Sequence, residues 1–206
     1  MEPSDVQTAR SPDLPPVVSV RVLGIDPGLK CGYALRVAFD GHPVAWTSGV
    51  WKLDGNKFEG GGMRFVRLRG LFARMLDETR PDVVAVEEVR MHMGVDAAHL
   101  YGGILAIVQE ECARRTPAVP YVGVHFSHAK IVATGNGNAK KPEMIAAARA
   151  RWGVDLSADE ADARWIAETA ARRLAGAEIG PRKKTSKPRP ERPAAPLAPA
   201  PWDAAP

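Results

Sequence analysis

The amino-acid sequence predicts an α/β protein in which helices pack on a mixed sheet of five strands. Three strand-like segments follow one another at hairpin spacing in residues 17–53, before any helical pattern begins. Two further strand-like segments each come after a helical one. Hairpins make the first three strands antiparallel, whereas helical crossovers make the later strands parallel. The patterns together predict an antiparallel three-strand meander extended by two parallel strands.

The three opening strands are indicated by valine-rich composition and by turn residues. Residues 17–26 (VVSVRVLGID) end at Pro27-Gly28, a turn pair. Residues 31–39 and 43–53 form the next two predicted strands, and Asp40-Gly41 supplies the tight turn between them.

The following segments alternate between helical and strand patterns. Residues 62–79 carry apolar side chains at the helical period, and residues 82–89 form an apolar run typical of a buried parallel strand. The remaining predicted elements are a helix over 96–115, a strand over 120–125, and helices over 141–152 and 157–174. An apolar face on the second helix fits either the core or a dimer contact; it consists of Leu100, Ile104, Ile107 and Val108.

The composition is that of an ordinary soluble protein. The 206 residues are 45% hydrophobic and 25% charged, values typical of a globular chain. No segment approaches the roughly 20 apolar residues of a membrane-spanning helix, and the polar N-terminus has no signal-peptide pattern. Two cysteines make no disulfide framework. We therefore expect a cytoplasmic protein with no membrane partner.

Proline and charge divide the chain into three parts. Eight of the 18 prolines lie in residues 181–206 and four more lie in residues 1–16, so both ends are expected to be disordered arms. The folded domain is predicted over residues 17–180. The C-terminal tail holds six Lys and Arg against two acids, so it carries the whole net charge of +4. Such a tail either adds salt-sensitive phosphate contacts or only solubilises the chain.

Four carboxylates stand at informative positions. Asp26 ends the first predicted strand, and Glu87 lies near the end of the fourth. Neighbouring parallel strands end at the same edge of a sheet, so these two side chains are expected to emerge together. Asp159 and Asp162 are three residues apart on the last helix and share a face. All four acids converge if that face packs over the same edge.

A cluster of four carboxylates needs a compensating cation. Mg²⁺ prefers carboxylate and phosphate oxygens, and Mn²⁺ can substitute for it. Two such ions about 3.5–4 Å apart stabilise the attacking and the leaving oxygen when a phosphodiester is hydrolysed. We therefore predict metal-assisted phosphodiester hydrolysis with two Mg²⁺ ions per site, and with these acids as both catalytic and metal-binding residues.

Each acid also has a purely structural interpretation. Asp26 alone suits a turn cap. Ser157 and Glu160 form an S-x-x-E capping box, so Asp159 fits a complement to the helix dipole and Asp162 a solvated residue. Glu88, beside Glu87, leaves open which of the two points into the site.

Three motifs carrying these acids resemble the RuvC family of Holliday-junction resolvases. Residues 23–28 (LGIDPG), followed by 32–34 (GYA), resemble the family's opening strands. Residues 81–89 (PDVVAVEEV) are similar to its second acidic strand, and residues 159–163 (DEADA) to its closing helix. The resemblance spans residues 20–175 in the family's order. It implies an RNase H-like fold, a homodimer, and Mg²⁺-dependent nicking of two strands of like polarity in a four-way DNA junction.

The resemblance also implies roles for single residues. The acids that it places in catalysis and metal binding are Asp26, Glu87, Asp159 and Asp162. Lys130 and Lys141 fall where the family has basic residues facing the phosphate backbone, and Lys140 is grouped with them; each also fits a solvated surface charge. Where the best-known form has an aromatic side chain that stacks on bases, this chain has Arg90, which can stack on bases and bind phosphate.

Three alternatives stay open at this stage. The loop at residues 133–141 and the basic Pro-rich tail also fit a nuclease of phage type that cuts a wider range of branched DNA. An actin-like ATPase or sugar kinase shares a first strand that ends in Asp followed by Gly, but it needs a second D-x-G strand and a larger second lobe. The third alternative is a non-catalytic protein of the same fold that binds junctions. Four acids close to the DNA phosphates would not help such a protein to bind.

Overall fold

A computed structural model describes residues 19–55, 58–89 and 94–179 and contains the predicted sheet. Its strands are β1 (Ser19–Asp26), β2 (Lys30–Phe39), β3 (Ala45–Lys52), β4 (Val83–Glu88) and β5 (Tyr121–His125). They lie in the order β3-β2-β1-β4-β5. β2 is antiparallel to β1 and β3, whereas β4 is parallel to β1 and β5. The predicted meander with two added parallel strands is thus confirmed.

Helices cover both faces of the sheet. Within the described ranges they are α1 (Met63–Thr79), α2 (Val95–Ala113), α3 (Phe126–Thr134), α4 (Lys141–Trp152) and α5 (Ala158–Leu174). Four of them match predicted helices to within about two residues at each end. The fifth, α3, was not predicted.

α3 escapes the sequence pattern because it follows β5 with no residue between them. Its nine residues are shorter than a typical helix, and they include the β-branched residues that favour strands. The ends are nevertheless defined. The ring of His125 accepts a hydrogen bond from the backbone N–H of Ser127, and Gly135 ends the helix with a φ of 78°. This helix carries Lys130 to the edge of the sheet where β4 ends.

Side chains of β1 alternate between two cores, one on each face of the sheet. Leu23 and Ile25 pack with Phe72 of α1 and Ile104 of α2. Val22 points to the opposite face and belongs to the core that includes Trp165 of α5. This alternation is the period of two expected of a strand buried on both faces.

The apolar face of α2 belongs to the first of these cores. Ile104, Ile107 and Val108 are buried there, and Leu100 packs against them. This face is therefore part of the core.

Two glycines let α5 lie directly on the sheet. A Cβ at Gly24 of β1 would stand 2.3 Å from the carbonyl oxygen of Ala163, and a Cβ at Gly32 of β2 would stand 2.1 Å from that of Asp159. Both distances are below any real contact, so a larger residue at either position would push the helix away. Gly32 thus sets the height of the first turn of α5 above β2, and Gly24 sets the height of the following turns above β1.

The two predicted arms, residues 1–16 and 181–206, lie outside the described residues. Residues 1–18 and 180–206 are not described, so the boundaries at 16/17 and 180/181 remain predictions. Among the helices of the described ranges, none is long and apolar enough to span a bilayer.

Candidate active site

Two of the four predicted acids lie side by side at the ends of neighbouring strands. Asp26 is the last residue of β1, and Glu87 is the last but one of β4. Ile25 and Val86 are paired across these parallel strands, which places Asp26 and Glu87 next to each other at the following position. Glu87 lies close enough to Asp26 to raise the pKa of that carboxyl group. The structure therefore brings this pair together as the sequence predicts.

Strand alternation decides between Glu87 and Glu88. Val84 and Val86 pack into the core under α1 and α2, whereas Val83 and Ala85 pack into the core under α5. Glu87 continues the second series and so faces α5, as Asp26 does. Glu88 belongs to the opposite face, where it lines a cleft with Tyr101 of α2. Glu87 is the member of the pair that joins the cluster.

The first turn of α5 supplies the other two acids and its own cap. The backbone N–H of Glu160 donates to Ser157 Oγ at 3.3 Å, and the backbone N–H of Ser157 donates to Glu160 Oε2 at 3.3 Å. The predicted capping box is thus formed. Asp159 and Asp162 are not needed for it, and both lie close enough to Asp26 to perturb its ionisation. The same turn therefore serves as a capping box and as part of the acid cluster.

Burial and the charges of neighbouring acids disfavour ionisation of Asp26 and Asp162. Burial raises the pKa of Asp26 well above its ordinary value, and the charges of Glu87, Asp162 and Asp159 raise it further. Burial likewise raises the pKa of Asp162 to about 6, although Lys141 and Lys130 oppose that shift. The four acids form what is called here the acid cluster. Together they carry more negative charge than the two lysines neutralise.

Lys130 and Lys141 both lie beside the acid cluster. Lys141 Nζ is 3.8 Å from Asp159 Oδ1. Lys130 shares a narrow cleft with Glu87 and Asp162, and its Nζ lies 5.2 Å from the centre of the exposed Phe126 ring. Both ammonium groups are therefore placed to meet an anion that approaches the acids.

Lys140 and Arg90 are the other two residues that the sequence predicts to contact DNA. Lys140 is exposed at the N-cap of α4, where its backbone N–H donates to Glu143. Arg90 lies outside the described residues, together with residues 91–93. Their expected roles in binding DNA remain predictions.

Two exposed lysines at the same edge were missed by the sequence analysis. Lys30 begins β2 and Lys52 ends β3, and their Cα atoms are partners across the strand pair. Asp26 is paired with Gly32 of β2, so this end of the hairpin is the end that carries the acid cluster. The pairing register of the two predicted hairpin strands is the sequence feature that could have identified these lysines.

A tyrosine on α2 holds the backbone where Glu87 lies. The Tyr101 hydroxyl donates to the Glu87 carbonyl oxygen at 3.0 Å and accepts from the backbone N–H of Val89 at 3.3 Å. Both bonds are to the main chain, so they fix the end of β4 without occupying the Glu87 carboxylate. No pattern in the sequence indicates this residue.

The donor set suits a hard divalent cation, although no coordination shell is preformed. Within the described ranges, no three His, Cys, Asp or Glu side chains are grouped as ligands for one metal ion. Asp26 instead lies beside Glu87, and Asp159 faces Lys141. Carboxylate oxygens are nevertheless the ligands that Mg²⁺ and Mn²⁺ prefer, and the excess negative charge would be relieved by such an ion. The residues therefore fit the predicted metal in chemistry.

Comparison with known proteins places these features in one family. The model of the family described as crossover junction endodeoxyribonuclease RuvC matches residues 22–163, which include all four acids. The RuvC of Paenarthrobacter aurescens is 32% identical over 175 residues, covering 79% of this chain and 86% of that protein. The RuvC of Streptomyces avermitilis is 32% identical over 147 residues, covering 70% and 81%.

A solved structure supports the same assignment. Thermus thermophilus RuvC in complex with a Holliday junction substrate superposes with a TM-score of 0.65 at 25% identity, covering 78% of this chain and 99% of that one. The fold is therefore RNase H-like, as the resemblance implies. From the matched residues, the shared architecture and the clustered acids we conclude that the chain belongs to the RuvC family of crossover junction endodeoxyribonucleases.

Proposed function

We propose that this chain resolves four-way DNA junctions by hydrolysing a phosphodiester bond in each of two opposite strands, in recombination and repair. The observation that carries the proposal is the convergence of Asp26, Glu87 and the two acids of α5 at one edge of the sheet, in a chain of the RuvC family. The family match also favours this function over the actin-like ATPase alternative.

The acid cluster is the proposed site of Mg²⁺, with Mn²⁺ as a substitute. A bound divalent ion supplies charge to stabilise the attacking and leaving oxygens of the phosphodiester. For the carboxylates to serve as ligands, Asp26 has to lose the proton that its raised pKa favours, and Asp159 has to exchange its contact with Lys141. Lys141 is then free to bind a phosphate oxygen.

The lysines around the cluster are the proposed contacts with the DNA backbone. Lys130 and Lys141 flank the acids, and Lys30 and Lys52 lie at the same edge of the sheet. Lys140 adds a further exposed charge next to Lys141. These side chains neutralise phosphates without reading bases, so they favour the shape of the DNA over its sequence.

Two further elements complete the proposal. A homodimer supplies one site for each of the two strands that are cut. The protein acts in the cytoplasm, where bacterial or phage DNA is found.

A cleavage assay with a labelled synthetic junction tests the function. Wild-type protein is incubated with the junction, a replication fork or a linear duplex, in Mg²⁺ or in EDTA. We expect paired nicks in opposite strands of the junction in Mg²⁺ and none in EDTA. Cutting of the fork as well would extend the substrate range to the phage-type pattern.

Two variants make the assay specific for the acid cluster. Asp26→Asn should lower the nicking rate at least 100-fold while the junction is still bound, because the loss of a ligand affects the reaction more than the binding of DNA. The matched control is Glu88→Gln, an acid of the opposite face, which should cut within about threefold of wild type. A gel shift without cutting by the wild-type protein would select the non-catalytic binder, and turnover of ATP would select the kinase-like alternative.

A further inference from the structure

A second charged cleft lies on the other side of α5 from the acid cluster. It is lined by Trp46 of β3, Trp152 at the end of α4, and Arg164 of α5, together with Arg36, Arg151 and Glu168. Asp162 and Arg164 are two residues apart, which separates their side chains by about 200° around the helix. The helix itself therefore divides this cleft, named here the Arg164 cleft, from the proposed active site.

Arg164 is buried without a full set of partners. The residue is 92% buried (8% exposed), and its guanidinium carbon lies beside two indole rings, 5.3 Å from the centre of the Trp46 ring and 5.5 Å from that of Trp152. Its Nε donates to Ser48 Oγ at 3.0 Å. Among the described residues, neither terminal nitrogen has a hydrogen-bond acceptor. Within the described ranges the one buried side-chain nitrogen or oxygen without a partner is Arg115 Nε, so the terminal N–H groups of Arg164 open onto the cleft, where they can donate to an anion.

The remaining charges of the cleft are also predominantly positive. Glu168 is buried and already engaged, because Arg36 Nε and Arg172 Nε each donate to it at 3.0 Å. Arg151, whose side chain is 57% exposed, lies 3.9 Å from the same carboxylate. Glu160 also acts on Arg164, since its carboxylate accepts from the Ser48 hydroxyl at 3.4 Å. Three arginines therefore face two acids, and the net positive charge attracts a negatively charged ligand.

The walls of the cleft favour a carboxylate over a nucleic-acid phosphate. Val44 and Val154, which are 38% and 40% exposed, form an apolar rim that a DNA backbone would leave uncovered. The Trp46 ring is already covered by Arg164 and Trp152, so it offers no open face for a base.

We propose that the Arg164 cleft binds an acidic peptide of a partner protein, with a carboxylate on the Arg164 guanidinium and a neighbouring apolar side chain on the valine rim. The planar fork of N–H groups matches a carboxylate in bidentate fashion. Additional acidic residues of the peptide meet the exposed Arg151. The site would recruit the protein to a partner without occupying the acid cluster.

A peptide-binding experiment on the full chain tests this site. The probes are fluorescein-labelled hexapeptides with three acidic residues and a free C-terminal carboxylate after Leu, Ile, Val, Phe, Tyr or Trp. We expect fluorescence anisotropy to show binding of at least one of them with a Kd below 100 µM. Amidation of its C-terminus should weaken that binding at least tenfold.

Variants assign the binding to the cleft. Arg164→Gln should weaken the peptide at least tenfold, and Arg151→Glu, a change at an exposed position that does not threaten folding, should weaken it at least fivefold. The matched control is Arg149→Glu, an exposed arginine of the same helix outside the cleft, whose effect should stay below twofold.

Three outcomes would overturn the proposal. No binding of any hexapeptide would exclude this ligand class, and equal effects of Arg151→Glu and Arg149→Glu would place the binding elsewhere. If Arg151→Glu instead weakened a labelled 20-nucleotide single strand or duplex and left the peptides unchanged, the cleft would be a DNA contact. Junction cleavage by Arg151→Glu should stay at the wild-type level, so failure of this proposal is distinguishable from failure of the proposed nuclease function.

Discussion

Gly32 of β2 lies directly beneath the backbone of Asp159, because a Cβ on Gly32 would stand 2.1 Å from the Asp159 carbonyl oxygen. The contact links the strand pair that contains Asp26 to the helix turn that brings two more acids. Gly32 is also the Cα partner of Asp26. The absence of a methyl group at position 32 therefore sets the height of α5 above the strand ends. The spacing of the acid cluster depends on that height.

Gly32→Ala should displace the first turn of α5 from the strand ends. We expect a loss of about 1–3 kcal/mol in the free energy of unfolding, typical of overpacking, and a larger proportional loss in junction cleavage. Urea unfolding and the cleavage assay measure the two effects. Gly70→Ala on the exposed face of α1 is the control, since nothing lies within 4 Å of its Cβ; it should stabilise the protein by about 0.5–1 kcal/mol. Wild-type cleavage by Gly32→Ala would show that the position of this turn is not critical.

The raised pKa of Asp162 predicts how metal-free stability depends on pH. The pKa in the folded state, about 6, is above the ordinary value of 3.8. The folded state therefore binds more protons than the unfolded state, and this contribution to stability is present below pH 4 and is lost as the pH rises through 6. Asp162→Asn removes this titration, so at pH 8 in EDTA the variant should be more stable than wild type.

Urea unfolding at pH 4 and at pH 8 measures this difference. We expect wild type to lose about 1–2 kcal/mol more than Asp162→Asn between the two values, after allowance for partial exposure to solvent. Asp155→Asn, an exposed acid paired with Arg149 away from the cluster, is the control and should behave as wild type. Equal losses in wild type and Asp162→Asn would mean that the charge of Asp162 is not disfavoured in the folded protein.

Lys141→Gln should weaken binding of the junction through the loss of one phosphate contact. We expect several-fold weaker affinity in EDTA and a decrease of about 1 in the slope of log affinity against log salt concentration. Arg80→Gln is the control, because Arg80 precedes β4 and so lies at the opposite edge of the sheet. An unchanged slope in Lys141→Gln would limit this lysine to its contact with Asp159.

Deletion of residues 181–206 tests the basic tail. The tail holds six Lys and Arg against two acids, so it should add phosphate contacts that weaken as the salt concentration rises. The truncated chain should therefore show a flatter salt dependence of junction affinity. It should still nick the junction. The slope is measured by fluorescence anisotropy between 50 and 300 mM NaCl. The same slope with and without the tail would mean that it takes no part in binding DNA.

The parts of the site that the sequence predicts are those with a strong local pattern. Asp26 and Glu87 were located because each follows an apolar strand, and parallel strands end at one edge. The choice of Glu87 over Glu88 needed the register of β4, which shows Val83 and Ala85 facing α5. α3 was missed because a short helix that directly follows a strand leaves no boundary signal.

Contacts between distant segments were beyond sequence reasoning. Trp46, Trp152 and Arg164 lie on three elements, and their side chains meet only after α5 has packed across β2 and β3. Tyr101 likewise acts on the backbone of β4 from the middle of an apolar helix. Such pairs depend on crossing angles and register, which composition and periodicity do not encode.

The central claim is that four acids from three segments, β1, β4 and α5, form one metal-binding pocket. Counting the bound metal ions tests this claim most directly. Electron paramagnetic resonance of Mn²⁺ titrated at pH 8 into wild type, Asp26→Asn and Glu88→Gln distinguishes free from bound ion. We predict two bound Mn²⁺ per chain in wild type and in Glu88→Gln, and the loss of at least one of them in Asp26→Asn. The same number of bound ions, with the same affinity, in Asp26→Asn and in wild type would contradict the account.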